Sequence, residues 1–122
     1  MMITVQTLNK AEQIVQSVMT KTMPTQINDT LISYKIKTDV SDIYPSIKIY
    51  WKIDMPVGES IVSHKFGMSM CVPEDLEKEE FICEWFTDNV QAKVDDLVMR
   101  FVKGILKNDL SDIVANDTPT YF

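Results

Sequence analysis

Residues 46–54 read SIKIYWKID, and in an extended chain this stretch sends Ile47, Ile49, Trp51 and Ile53 to one side and Lys48, Tyr50 and Lys52 to the other. One face is apolar and the other cationic, as in a strand that covers a core. Two neighbouring stretches repeat the pattern. TLISYKIKT sets Ile32, Tyr34 and Ile36 against Ser33, Lys35 and Lys37, and SIVSHKFGMSMCV sets His64, Phe66, Met68, Met70 and Val72 against Lys65, Gly67, Ser69 and Cys71. With MPVG as the turn between the second and third, these form a three-stranded antiparallel meander.

Helical spacing brackets the strands. Leu8, Ala11, Val15, Val18, Met19 and Met23 recur at helical intervals, which predicts a helix over 8–22 with Thr7 or Asn9 as N-cap and a stop before Pro24. PTQINDT follows as a loop, and the pattern leaves open whether Ile3 and Val5 add a strand. From Pro73, the series Leu76, Cys83, Phe86, Val90, Val94, Leu97, Phe101 and Ile105 predicts a second helix to about Lys107 and Asn108. DLSDIVA adds a further turn, and 116–122 is read as a frayed tail. The class is α+β: a helix, a three-stranded meander and a long, kinked or projecting C-terminal helix on the apolar sheet face, within one domain over 1–122.

That helix looks too long for its sheet. Residues 74–106 would span roughly 50 Å against about 30 Å for nine-residue strands. The overhang is apolar, with Val98, Phe101, Val102 and Leu106 as the expected surface of an oligomer, most simply a symmetric dimer. Trp85 lies nearly opposite the apolar stripe, either as an interface anchor or covered by the first helix.

Composition narrows the chemistry. The 122 residues are 45% hydrophobic and 25% charged, without a membrane-spanning apolar run or a signal-peptide pattern, so a cytoplasmic protein is expected. The two cysteines read as reduced, and with one histidine they make no four-ligand zinc site; no cofactor and no metal are expected. Residues 73–88, PEDLEKEEFICEWFTD, carry seven acids and one lysine, which equals the whole formal charge of −6. Binding of double-stranded nucleic acid or an anionic membrane by the general surface is therefore disfavoured. The order of helix, three strands and helix resembles that of double-stranded-RNA-binding domains. The resemblance implies lysines at the start of the last helix, where this chain has PEDLEKEE, so it speaks against duplex RNA.

Catalysis is disfavoured, because His64 has no partner in the pattern and no glycine-rich phosphate loop occurs. Two binding surfaces remain. An acidic helix face of Glu77, Glu80, Glu84 and Asp88, with Trp85 as anchor, suits a basic protein partner and gives the leading expectation: a non-catalytic interaction or inhibitor protein. It has the character of small acidic accessory proteins of viruses and mobile elements. The second surface is Lys35, Lys37, Lys48, Tyr50, Lys52 and Lys65 on the sheet, with Arg100, which suits a nucleotide or another small anion by charge and stacking. A small enzyme built on His64 ranks last.

Overall fold

The structure, a computed structural model, describes residues 4–40 and 44–110. It is α+β, with two helices and one antiparallel sheet: α1 (Val5–Thr22), β1 (Gln26–Ile27), β2 (Thr30–Asp39), β3 (Ser46–Val57), β4 (Ser60–Cys71) and α2 (Glu80–Leu106). The sheet order is β1-β2-β3-β4.

The sheet has four strands where the sequence predicts three. The added strand, β1, comes from the expected loop PTQINDT, which folds back on itself at Asn28 and Asp29. Asn28 takes φ 52°, a left-handed geometry that asparagine tolerates, and Gln26 pairs with Leu31 and Ile27 with Thr30. The Gln26 Nε2 closes the turn by donating to the Asn28 carbonyl at 2.8 Å. The β3–β4 turn also lies later than MPVG. Met55 is buried and β3 runs on through Pro56 to Val57, while Gly58 at φ 63° and Glu59 form the two-residue connection. Glycine reaches this φ without strain at the first position of a hairpin turn.

Helix boundaries shift for stated reasons. α1 starts earlier than predicted because Thr4, not Thr7 or Asn9, is the N-cap, its side chain accepting from the Thr7 N–H at 3.1 Å. Val5 therefore belongs to a helix and not to a strand. The stop before Pro24 holds, with Met23 extended at φ −80° and ψ 119°. α2 starts at Glu80 and not near Pro73; residues 74–78 are turns around the buried Leu76. Acids three and four apart, Glu74 with Glu77 and Asp75 with Glu79, repel along any helix there, and Leu76 alone supplies an apolar anchor. At the other end, Asn108 at φ 54° caps α2, with its N–H on the Ile105 carbonyl at 3.1 Å and the Asp109 N–H on the Gly104 carbonyl at 2.8 Å.

These shifts remove the predicted overhang. A helix of 27 residues is about 40 Å long and a strand of 12 residues also about 40 Å. The further turn expected in DLSDIVA and the tail over 116–122 lie outside the described residues.

The chain divides into two compact units. The first draws on Met1–Met23, Ile36–Lys48 and Ser69–Asp95. Its core holds Ala11, Val15, Val18 and Met19 of α1, Ile47, Met70, Leu76, and Phe86, Val90 and Val94 of α2. The Gln91 side chain of α2 donates to the Thr22 hydroxyl at 2.9 Å. The second unit draws on Pro24–Lys35, Ile49–Met68 and Asp96–Phe122. Its centre is aromatic: Trp51 stacks on Phe66 at 5.0 Å and 7°, and Phe101 meets both edge-on at 6.0 and 5.1 Å. Ile49, Ile53, Met55 and Ile105 are buried in the same unit.

Phe101 is 0% exposed, so the expected oligomer surface loses one of its four residues to the core. Truncating it leaves Trp51 and Phe66 without their edge contacts. Phe101→Ala is expected to cost about 3–5 kcal/mol in urea unfolding with an unchanged m-value. A loss below about 1 kcal/mol would show that the three rings do not share one core.

Candidate functional site

The acidic stretch is built as a turn followed by a helix. All seven acids of 73–88 are exposed, and among the described residues none of their carboxylates takes part in an ion pair or a side-chain hydrogen bond. Phe86, Val90 and Val94 turn inward, and at 100° per residue this sends Phe81 and Trp85 outward, one turn apart. They are 65% and 57% exposed. The first helix therefore does not cover Trp85, which settles that alternative within the chain. Ile82, also off the stripe, is half-buried.

Glu80, Glu84 and Asp88 lie within the same two turns of α2 as Trp85, all exposed. Glu77 stands apart, in the preceding turn, where it lines a shallow groove of about 500 Å³ with Asn9, Lys10, Gln13 and Ser17 of α1 and Thr87 of α2. Four of the five expected partner contacts are thus brought together, and Phe81 joins them. Phe81 was missing from the sequence reading, although its place four residues before Trp85 is the signal that finds it. Asp95, at the far end of the acidic edge, accepts from the Gln91 amide at 3.0 Å. No group of three His, Cys, Asp or Glu among the described residues is placed to hold a metal ion.

The lysine-bearing side of the sheet differs from its sequence pattern in three ways. Lys48 is half-buried and pairs with Asp39 at 2.6 Å. Asp54 continues the row of Lys48, Tyr50 and Lys52, accepts a hydrogen bond from the Ser63 hydroxyl, and so puts an acid on that side. Tyr50 is 9% exposed, and its ring lies against Gly67: a Cβ at Gly67 would stand 2.9 Å from Tyr50 Cδ1 and 3.2 Å from the Ile49 carbonyl oxygen. The tyrosine fills the space that a side chain at 67 would take and presents no open ring face for a base. Lys35, Lys37 and Lys65 are exposed and Lys52 half-buried, its carbonyl accepting from the Ser33 hydroxyl at 3.3 Å.

The remaining candidates are scattered. Arg100 pairs with Asp96 one turn earlier at 3.1 Å, both exposed. Val98 and Val102 are half-buried and Leu106 is exposed. His64 is half-buried and makes no hydrogen bond or ion pair with any described residue. Cys71 is exposed, Cys83 half-buried, and both are free thiols. No described helix is long and apolar enough to cross a membrane. The chain matches no protein-family model, no curated protein and no solved structure.

The contact between Tyr50 and Gly67 is open to a direct check. Gly67→Ala is expected to destabilise by about 1–3 kcal/mol, and the added cost to shrink when Tyr50→Ala is already in place. Equal costs in both backgrounds, read by chemical denaturation, would show that the ring does not occupy that space.

Proposed function

We propose that this protein is a non-catalytic interaction or inhibitor protein that engages a basic partner through the first two turns of α2. Supporting this is one juxtaposition: an outward aromatic pair, Phe81 and Trp85, set among the carboxylates of Glu80, Glu84 and Asp88, which pair with no described residue. Large exposed aromatics rimmed by charge are the usual anatomy of a binding hot spot, in which the rings supply buried area and the rim selects the partner. The unbalanced carboxylates would be neutralised by lysine or arginine on the partner, and their field would speed encounter at low salt. Glu77, in the preceding turn, extends the same field. The partner is a protein surface or segment rich in cations.

The alternative, a nucleotide or other small anion on the lysine side of the sheet, ranks below it. Its stacking element, Tyr50, is covered, and one of its cations, Lys48, is already paired. An enzyme centred on His64 ranks last, as no acid or nucleophile among the described residues contacts that ring.

The test uses side chains whose replacement leaves the fold alone. Reversing Glu84 and Asp88 to lysine is expected to abolish capture of the partner from host extract, and Trp85→Ala to weaken it by about tenfold or more, with thermal melting unchanged. Wild-type capture is expected to fall steeply as salt is raised. Capture that survives the double reversal would place the working surface elsewhere.

A further inference from the structure

The two edges of the sheet are finished differently. At one edge β1 pairs only with Thr30 and Leu31, and the rest of β2 beyond it carries two lysines, Lys35 and Lys37. β4 forms the other edge with twelve residues, SIVSHKFGMSMC, without proline and with a single lysine. Short strands, prolines and multiple charges are the common protections of an edge, and this one has almost none of them. Near the hairpin end the strand also exposes an apolar residue on each face: Ile61 is 72% and Val62 40% exposed.

The hairpin fixes which backbone groups face outward. The turn of Gly58 and Glu59 sets Val57 opposite Ser60, and the same register sets Asp54 opposite Ser63 and Tyr50 opposite Gly67, as their contacts show. In a two-residue hairpin the flanking pair exchanges hydrogen bonds, and the bonded pairs then alternate along the ladder. Ile61, Ser63 and Lys65 therefore direct their N–H and C=O groups away from β3, towards the open edge. The register also sets Lys65 opposite Lys52, two cations side by side across the ladder, a destabilising arrangement.

We infer that the edge of β4 pairs with a second copy of this chain, antiparallel and centred on Val62. A two-fold axis at Val62 sets Ile61 opposite the partner copy's Ser63, a pairing in which both residues point their backbone groups across the new seam. One residue beyond the start of β4, the turn residue Glu59 comes level with Lys65 of the second copy, and Lys65 with its Glu59, within reach of their long side chains. Both side chains are exposed and carry no ion pair among the described residues. Two cross-strand ion pairs thus relieve the repulsion between Lys65 and Lys52 in each copy. Charge complementarity selects this register: one centred on Ile61 sets Glu59 against Ser63 and leaves Lys65 without an acid. The pairing uses no residue of the acidic helix.

Sedimentation equilibrium tests the pairing on the full chain. The wild type is expected to dimerise at about 100 µM and to dissociate on dilution. Ile61→Pro removes an edge N–H that the monomer leaves in solvent, so the fold survives and the dimer is lost. Glu59→Lys sets lysine against lysine and is expected to weaken the dimer by about tenfold, while the double exchange Glu59→Lys with Lys65→Glu restores it. A wild type that stays monomeric, a dimer that persists in Ile61→Pro, or a double exchange no tighter than Glu59→Lys alone would each overturn the inference.

Discussion

The rotational phase of α2 is the constraint on which the rest depends. In the first unit Phe86, Val90 and Val94 must face inward, and in the second Leu97, Phe101 and Ile105 must do the same. At about 100° per residue that choice leaves no freedom for the other side chains. Phe81 and Trp85 are forced out into solvent along with Glu80, Glu84 and Asp88. Exposing two large aromatics forgoes the burial energy that each would gain in a core, on the order of 2–3 kcal/mol apiece. The chain fills its interior with Trp51, Phe66 and Phe101 and leaves those two outside.

Electrostatics separates the acidic segment 73–88 from the cations of the sheet and of α2. The acids of 73–88 make no ion pair among the described residues, and their mutual repulsion limits how early α2 begins. They are tolerated as a solvated turn and helix start, where the helix dipole favours negative charge. The cations of the sheet are partly spent: Lys48 on Asp39, and Arg100, on α2, on Asp96. Among the described residues the seven acids of 73–88 are not neutralised by pairing, and those of α2 stand beside the aromatic pair, which is the ground for proposing a basic partner.

Much of the fold is legible in the chain because its periods are clean. The alternation of SIKIYWKID carries through to burial of Ile47, Ile49, Trp51 and Ile53, and the stripe from Phe86 to Ile105 sets the phase of α2. The errors arise where a local interaction outranks a period. Asn28 turns a loop into a hairpin, Thr4 lengthens α1, and repulsion among Glu74, Asp75, Glu77 and Glu79 delays α2. Each shift is a few residues, and the later start of α2 with the longer β3 and β4 removes the length difference behind the expected overhang. For the site, the exposure of Trp85 follows from the helical wheel, and Phe81 could have been found the same way. The loss of Tyr50 as a stacking plane could not, because it depends on the cross-strand register that brings the ring over Gly67.

The most direct measurement of the central claim is site-specific photo-crosslinking in the native host. A photoreactive benzoylphenylalanine replaces Phe81 in one version of the chain and Lys37, exposed on the sheet, in another. The position at 81 is expected to yield an adduct with a basic protein of pI above about 9, lost on reversal of Glu84 and Asp88, and the position at 37 to yield none. Adducts from position 37 with none from position 81 would contradict the account and move the working surface to the sheet.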